Sequence, residues 1–257
     1  MARRPHDSYS RVDYRRLIAW PERIEREWPF LEQVLGSGPI RRVLDLGSGT
    51  GEHARFLAAH GFEVVGVDAS DSMLGKATEE PLPDNLRFVR GDLAEVDSLV
   101  EGHFGAAICL GNTLPHLQDE EHLGRAFRAV RVKFLPGAPL LLQIVNYDRV
   151  FATRQRQLPT NFRPGDAPGE EIVFLRLMNP RPDGTVVFNP TTLLYRPGAE
   201  PPVELVSTRN VLLRGWRREE IERLLEDAGF PRRDFFGGMR EEPYDATTSP
   251  DLVVLAR

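Results

Sequence analysis

Three glycines at alternate positions, Gly47, Gly49 and Gly51, directly follow the apolar run Val43–Leu46. Glycine lacks Cβ, so the backbone here can turn sharply after a strand and lie directly against a ligand. The residues after Gly51 have a helical pattern, and the first turn of a helix offers unpaired N–H groups. The segment therefore predicts a loop that binds a nucleoside.

Asp45, two residues before the first glycine, distinguishes between two kinds of nucleoside ligand. In a dinucleotide-binding fold the glycine loop receives a pyrophosphate, and a carboxylate close to it would repel that group. S-adenosylmethionine has no phosphate and carries a cationic sulfonium and an ammonium. Asp45, together with GxGxG spacing in place of GxGxxG, makes a nicotinamide-dependent oxidoreductase the less favoured alternative. Asp45 acts either by direct contact with the ligand or by accepting N–H groups of the loop.

Two more carboxylates follow the next apolar runs. Asp68 ends the run 62–67, where a carboxylate of a nucleotide-binding sheet can hold both ribose hydroxyls. Asp92 follows the run 86–90 and is placed to meet an adenine amino group. Ordinary strand-end carboxylates are the alternative, but the glycines and acids occur together in register.

With these features the sequence resembles the class I S-adenosylmethionine-dependent methyltransferases over almost its whole length. It is most similar to their glycine and sarcosine N-methyltransferase branch. The residues that carry this similarity are GVDASDSML at 66–74, ICLGNTLPHL at 108–117 and NYD at 146–148. The resemblance implies a Rossmann-like α/β fold and methyl transfer from S-adenosylmethionine, with S-adenosylhomocysteine as the product.

The resemblance also implies a set of cofactor-binding residues: Trp20, Arg23, Asp45, Gly47, Gly49, Gly51, Asp68, Ala69, Met73, Asp92, Leu93 and Leu110. Arg23 matches an arginine that grips the carboxylate of the cofactor, a task that suits the guanidinium fork. Leu110 would use its backbone carbonyl, directed at the cofactor's ammonium. For Trp20 and Arg23, a core tryptophan and a surface arginine are equally simple explanations.

Asn112 and His116 are the candidate catalytic residues, because they come just after the fourth predicted strand, at the edge where open α/β sheets bind ligands. The matching residues of the resembled family lie close to the methionine end of the cofactor. The alternative is a turn residue and a local cap. Tyr9 and Tyr14 could close over the methyl donor, although such tyrosines more often pack or face solvent.

One position departs from the family pattern. Glycine-type enzymes have an arginine directly before the Asn-Tyr pair, which holds the acceptor's carboxylate, whereas this chain has Val145. Glycine is therefore a doubtful substrate unless Arg149, Arg176 or Arg209 replaces that arginine. The resemblance favours a small molecule with an amine nitrogen as acceptor; a cofactor-binding sensor or scaffold without turnover is the alternative.

Composition narrows the class further. The net charge of −5 gives no general footprint for nucleic acid, so we expect no nucleic-acid partner. Cys109 is the single cysteine, which excludes an intramolecular disulfide. There is no signal-peptide pattern, no apolar run long enough to cross a bilayer and no HExxH or CxxC metal motif. We expect a cytoplasmic protein without a catalytic metal, and its oligomeric state stays open.

The chain reads as one domain in four parts. A helical cap covers 1–38, in which Pro21 and Pro29 should break the helical pattern into short pieces. Alternating strands and helices over 39–145 predict a parallel cofactor-binding sheet. Residues 146–213 predict an antiparallel β insertion over the substrate pocket, with strands at 172–178, 185–195 and 204–213 and a hairpin turn at 182–184. Residues 214–257 predict a helix and two strands, the last of them antiparallel to the rest.

Overall fold

The computed structural model describes residues 14–36 and 40–257, which form two sheets and their covering helices. The helices are α1 Trp20–Leu35, α2 Glu52–Ala59, α3 Asp71–Ala77, α4 Val96–Leu99, α5 Glu120–Val132, α6 Tyr147–Thr153 and α7 Arg218–Asp227. The strands are β1 Arg42–Leu46, β2 Glu63–Asp68, β3 Leu86–Arg90, β4 Ala106–Cys109, β5 Leu140–Val145, β6 Gln157–Pro164, β7 Glu171–Pro180, β8 Thr185–Tyr195, β9 Val203–Thr208, β10 Val211–Arg214, β11 Arg233–Phe236 and β12 Asp251–Ala256. Short 3-10 turns cover Tyr14–Leu17, Leu93–Glu95 and Leu114–His116.

The larger sheet has the strand order β11-β12-β5-β4-β1-β2-β3. Strands β1 to β5 are parallel, whereas β12 is antiparallel to both of its neighbours, β5 and β11. The predicted reversed last strand is therefore confirmed. The strand order changes direction between β1 and β4, and open α/β sheets bind ligands in the crevice beyond the carboxyl ends of such a pair.

Two apolar layers cover the central strands, which explains why their sequences are continuously apolar rather than alternating. One layer joins Leu44 and Val65 to the buried faces of α5 and α7. The other joins Val43 and Val64 to α2 and to the carboxyl half of α1. All four residues of β4 are buried. Helix α7 ends before Gly229, whose φ of +87° is readily adopted by glycine, as predicted.

The N-terminal helix differs from the prediction of short broken pieces. Helix α1 is continuous over Trp20–Leu35; Pro21 lies in its first turn, where proline is tolerated, and Pro29 lies inside it. An interior proline costs about 3 kcal/mol. The carboxyl half of α1 buries Phe30, Leu31, Val34 and Leu35 against the sheet, and this packing offsets the cost. The helix is thus partly a layer of the core as well as a cap.

The insertion forms a second antiparallel sheet of order β10-β8-β7-β6, with β9 also paired to β8. The predicted third strand is split into β9 and β10 at residues 209–210. Pro190 in β8 has no N–H, and the Arg209 N–H donates to the Pro190 carbonyl at 3.2 Å, so the ladder on that side is interrupted there. Strand β6 was not predicted because it contains Pro159 and Pro164, but at the edge of a sheet proline is tolerated.

The predicted hairpin turn joins β7 to β8, and Gly184 has a φ of +81°. The insertion also contacts the N-terminal segment. Asn161 donates to the carbonyl of Leu17 at 3.1 Å, and Arg16 pairs with Asp166 at 2.7 Å. Within the described residues, no helix has the length and apolar character needed to span a bilayer.

Candidate active site

The glycine loop lies beyond the carboxyl end of β1, beside the loop that follows β4. Gly47, Gly49 and Gly51 have φ values of +70°, +56° and +85°, in the left-handed region that favours glycine. A Cβ on Gly47 would lie 2.3 Å from Cγ2 of Thr113, and one on Gly51 would lie 2.6 Å from Cζ of Phe88. The close approach of this loop to its neighbours therefore requires glycine at both positions.

Asp68, at the end of β2, is joined to the glycine loop. The N–H of Gly49 donates to Asp68 Oδ2 at 2.8 Å, and the N–H of Ser70 donates to Oδ1 at 2.8 Å. These bonds fix the orientation of the carboxylate at the mouth of the crevice. Ser70 also caps α3 by accepting from the N–H of Met73 at 3.3 Å. Met73 is buried beneath this turn, while Ala69 is exposed on it.

Asp45 is almost fully buried, with 4% of its surface exposed, at the base of the same loop. Burial raises its pKa to about 7, the negative charges of Asp68 and Glu52 also raise it, and nearby His53 lowers it. Its Oδ2 atom has no hydrogen-bond partner among residues 14–36 and 40–257. The N–H groups of Gly47 and Ser48 instead donate to the carbonyl of Val67, at 2.7 and 3.1 Å.

Asp92 follows β3 at the same edge of the sheet. Its Oδ1 accepts the N–H of Ala94 at 2.8 Å, which caps the turn containing the buried Leu93. The same oxygen lies 2.7 Å from Nε2 of His122 on α5. Sequence reasoning missed His122, because the partner lies 30 residues away on a different element.

The loop after β4 carries two successive left-handed residues, Gly111 at φ +77° and Asn112 at φ +70°. The Asn112 side chain accepts the N–H of Val145 at 3.0 Å and donates to the hydroxyl of Tyr147 at 3.1 Å. Its amide thus ties the end of β4 to the end of β5. The carbonyl of the buried Leu110 accepts the Thr113 hydroxyl at 3.2 Å.

His116 ends the short turn after this loop and is exposed. Protein atoms packed on its other side lower its pKa by desolvation. At neutral pH its imidazole is therefore uncharged. The structure places it on the predicted edge, after Asn112 and Thr113.

Arg23 extends from α1 to the same crevice. Its Nε donates to Glu27 Oε1 at 2.8 Å and its Nη2 donates to Gln143 Oε1 at 3.2 Å, while its guanidinium lies beside Gly111. The indole ring of Trp20 packs on Arg23, whose Cζ lies 5.1 Å from the ring centroid. The centroid of the Trp20 ring lies 5.5 Å from that of the His53 ring. The structure thus brings the predicted Trp20 and Arg23 to the ligand edge of the sheet.

Sequence reasoning missed three polar residues around Arg23, namely Glu27, His53 and Gln143. Glu27 and His53 are both buried, and Oε2 of Glu27 lies 2.8 Å from Nε2 of His53. Burial opposes ionisation of Glu27, but its hydrogen bond to His53 and the charge of Arg23 bring its pKa below the usual value. A signal was present for two of them: Glu27 follows Arg23 by four residues on a helix, and Gln143 interrupts the apolar run of β5.

Val145 is the last residue of β5, and its cross-strand partner is Asp251 on β12. Burial raises the pKa of Asp251, opposed by a hydrogen bond from Gln143 at 3.0 Å and by the charges of Arg23 and Arg149. The charge of Arg149, one of the three candidate arginines, acts on Asp251, and Nη1 of Arg149 donates to the carbonyl of Thr248 at 3.2 Å. Arg176 instead donates to the Pro159 carbonyl in the insertion.

Three candidates from the sequence remain: Arg209, Tyr9 and Tyr14. Arg209 lies between β9 and β10, where its backbone pairs with Pro190 and Asn189. Tyr9 lies outside the described residues, as does the side chain of Tyr14.

The residues present fit S-adenosylmethionine. The glycine loop packs against Thr113 and Phe88 at Gly47 and Gly51 and leaves a cradle of open space beside Gly49, where a ligand can approach the backbone. The buried oxygen of Asp45 without a partner suits a ligand that brings hydrogen-bond donors or positive charge. Asp68 is held at the end of β2 by the glycine loop, and Arg23 is held on α1 by Glu27 and Gln143 beside Gly111. S-adenosylmethionine needs carboxylates that accept from its hydroxyl and amino groups and an arginine that donates to its carboxylate.

Comparisons with known proteins agree with this geometry. A family model described as "Methyltransferase domain" matches residues 43–133. A glycine/sarcosine N-methyltransferase of Aphanothece halophytica is 30% identical over 88% of this chain and 79% of its own length. A glycine/sarcosine/dimethylglycine N-methyltransferase of Actinopolyspora halophila is 29% identical over 88% of this chain, which spans only 37% of that relative.

Solved structures show the same fold. The CcbJ methyltransferase of Streptomyces caelestis is 25% identical, with a TM-score of 0.67 over 91% of this chain and 89% of its own. DesVI of Streptomyces venezuelae is 17% identical, with a TM-score of 0.71 over 95% and 98% of the two chains. With the glycine loop, the two strand-end acids and the reversed last strand, these similarities show that the chain belongs to the class I S-adenosylmethionine-dependent methyltransferases and resembles their glycine and sarcosine N-methyltransferase branch.

Proposed function

We propose that this protein transfers the methyl group of S-adenosylmethionine to an amine nitrogen of a small molecule. The observation that carries the proposal is the cradle of Gly47, Gly49 and Asp68, with Arg23 facing it from α1. The relatives named glycine/sarcosine N-methyltransferases support an amine as the acceptor. Two features argue against glycine itself, Val145 and the neighbouring carboxyl group of Asp251.

Each predicted cofactor residue has a role in this proposal. Asp68 accepts hydrogen bonds from the two ribose hydroxyls. Asp92 accepts a hydrogen bond from the adenine amino group, and His122 holds the Asp92 carboxylate in place. Arg23 pairs with the cofactor's carboxylate, and the carbonyl of Leu110 accepts its ammonium. The remaining positions shape the cradle or cover it: Trp20, Asp45, Gly47, Gly49, Gly51, Ala69, Met73 and Leu93.

The bound cofactor supplies an electrophilic methyl group on a sulfonium. The protein's part is to align the acceptor nitrogen in line with the carbon–sulfur bond and to exclude water. An amine reacts through its lone pair, so an ammonium must first lose a proton. His116, uncharged at neutral pH, is proposed to accept that proton at the edge of the crevice. Asn112 is proposed to hold the loop after β4 in place through Val145 and Tyr147.

The four parts of the chain divide the work in this proposal. Residues 39–145 bind the cofactor, and the described part of the N-terminal cap, residues 14–36, covers it with Trp20 and Arg23. The insertion, residues 146–213, roofs the acceptor pocket, because it follows β5 directly at the ligand edge of the sheet. Residues 214–257 complete the sheet and place Asp251 beside Val145.

The test has two stages. Calorimetric titration of the protein with S-adenosylmethionine and with NAD, at matched concentrations, should give binding of the first only. Release of S-adenosylhomocysteine is then measured over a panel of small amines, each with and without a carboxylate. Turnover with any amine supports an enzyme, and cofactor binding without turnover across the panel would favour the sensor alternative.

A further inference from the structure

A chain of hydrogen-bonded polar residues crosses the molecule beneath the crevice. We call Asp251, Gln143, Arg23, Glu27 and His53 the polar relay. Its successive contacts are Gln143 to Asp251 at 3.0 Å, Arg23 to Gln143 at 3.2 Å, Arg23 to Glu27 at 2.8 Å and Glu27 to His53 at 2.8 Å. It links β12, β5, α1 and α2, elements that are far apart in sequence.

Gln143 is the branch point of this relay. Its Oε1 accepts from two donors, Nη2 of Arg23 and the N–H of Gly111, both at 3.2 Å. Its Nε2 donates to the carboxyl group of Asp251. An amide that was flipped by 180° would place its NH₂ group against two donors and its oxygen against an acid. Asp251 therefore selects the orientation in which the oxygen faces Arg23 and Gly111.

The orientation of the Gln143 amide affects Arg23, the residue proposed to bind the cofactor's carboxylate. Arg23 and the Gly111 loop form the side of the crevice where the amino-acid end of the cofactor lies in the proposed function. Arg23 is held from two sides, by Glu27 and by Gln143, with 13% of its side chain exposed. A long arginine side chain without such contacts loses rotamer entropy when it binds a carboxylate, and these two contacts restrict Arg23 beforehand.

We propose that Gln143, oriented by Asp251 and tied to the loop after β4 through the N–H of Gly111, is a positioning residue that presets Arg23 for the amino-acid moiety of the cofactor. The inference rests on the proposed function. It predicts that Gln143 affects only ligands that carry the amino acid. In the proposed function the nucleoside half is held by the glycine loop, Asp68 and Asp92 at the ends of β1, β2 and β3, whereas Gln143 lies on β5.

The experiment compares two ligands by calorimetric titration: S-adenosylhomocysteine, and 5′-deoxy-5′-methylthioadenosine, which keeps the nucleoside and lacks the amino acid. In the Gln143→Met variant, which conserves volume, S-adenosylhomocysteine should bind about tenfold more weakly, as expected for a misplaced charge-assisted contact. Binding of the thioadenosine should stay within about twofold. The matched control is Gln33→Met, because Gln33 is exposed on α1 and its side-chain amide donates to the exposed Glu241 at 3.4 Å.

Three further variants separate the effect of the Asp251–Gln143 hydrogen bond from a failure to fold. Asp251→Asn keeps an oxygen that accepts from Gln143 and should lose little affinity for either ligand, whereas Asp251→Leu should behave like Gln143→Met. Gln143→Asn, too short to span Arg23 and Asp251, replaces Gln143→Met if that variant does not fold.

Equal weakening of both ligands would mean a merely structural role and would overturn the inference, as would unchanged binding of S-adenosylhomocysteine. Failure of the unmodified protein to bind either ligand would instead overturn the proposed function together with the inference. A selective loss on a background of normal wild-type binding supports both.

Discussion

The backbone N–H of Gly49 donates a hydrogen bond to Oδ2 of Asp68, at 2.8 Å, across 19 residues of sequence. This bond joins the loop after β1 to the end of β2. It makes the glycine loop and the strand-end carboxylate a single unit, with the second oxygen of Asp68 held by Ser70. The shape of the loop and the placement of the acid therefore depend on each other.

Replacing Asp68 tests this unit. Asp68→Ala should weaken binding of S-adenosylmethionine at least tenfold, because two charge-assisted hydrogen bonds to ribose are together worth more than about 1.4 kcal/mol. Calorimetric titration measures the effect. Asp97→Ala, an exposed acid on α4, is the matched control and should bind normally. Equal affinities for all three proteins would contradict the assignment of Asp68 to the nucleoside.

Two glycine substitutions should act in opposite directions. Gly47→Ala forces alanine to a φ of +70° and brings its Cβ to within 2.3 Å of Thr113, so the free energy of unfolding should fall by more than about 1 kcal/mol. Gly75 is exposed on α3, and a Cβ there would have open space around it. Gly75→Ala should therefore raise the free energy of unfolding by roughly 0.5 to 1 kcal/mol. Urea denaturation of the ligand-free protein measures both. A Gly47→Ala variant as stable as the wild type would show that the loop can relax.

Asp45 should make stability depend on pH. Its folded pKa of about 7 lies above the unfolded value near 4, so between these pH values the folded state holds one more proton than the unfolded state. The contribution of Asp45 to the free energy of unfolding is fully present below about pH 4 and is lost as pH rises through about 7. Asp45→Asn removes this dependence. The wild type should therefore lose on the order of 1 to 4 kcal/mol relative to Asp45→Asn between pH 4.5 and 8.

Denaturation of both proteins at several pH values gives that difference directly. Asp97→Asn is the control, because an exposed acid should leave the pH profile of the wild type unchanged. Parallel profiles for the wild type and Asp45→Asn would mean that Asp45 has an ordinary pKa.

Asn112 should contribute to stability as well as to activity. Asn112→Gly keeps the left-handed backbone but removes the amide that satisfies the N–H of Val145 and the buried hydroxyl of Tyr147. Loss of such partners costs about 1 to 3 kcal/mol of unfolding free energy. Thermal and urea denaturation of the ligand-free variant check this. Full stability combined with lost turnover would assign Asn112 to chemistry alone.

The sequence was informative where the physics is local. Strands β1 to β5 are short, mostly apolar runs; a glycine follows β1, Asp68 ends β2 and Asp92 comes shortly after β3, so these strands and the two carboxylates could be placed without coordinates. The turn before Thr185 was equally clear, because Pro, Asp and Gly each favour a turn for a separate reason.

Features that depend on tertiary packing could not be predicted in this way. Proline predicts a break at Pro29 and none forms, since the buried face of α1 outweighs the local cost. Strand β6 lies at a sheet edge, which no local pattern reveals. The partners of Arg23 and Asp92 come from elements up to 120 residues away, so the polar relay and His122 became visible only in the fold.

The proposed acceptor depends most on Val145. An arginine paired to a carboxylate through two charge-assisted hydrogen bonds contributes roughly 1.5 to 3 kcal/mol, so its absence predicts a ten- to hundredfold loss of kcat/KM for an acceptor that needs it. Asp251, the cross-strand partner of Val145, adds a carboxyl group beside the position of the missing arginine, which further disfavours an acceptor with a carboxylate.

The most direct measurement is therefore the rate of S-adenosylhomocysteine release by the unmodified protein with glycine, with sarcosine and with matched small amines that lack a carboxylate. We predict turnover with at least one such amine and kcat/KM values for glycine and sarcosine at least tenfold lower. Efficient methylation of glycine at an ordinary millimolar KM would contradict the account, since another arginine, such as Arg149, whose charge acts on Asp251, would then hold the carboxylate.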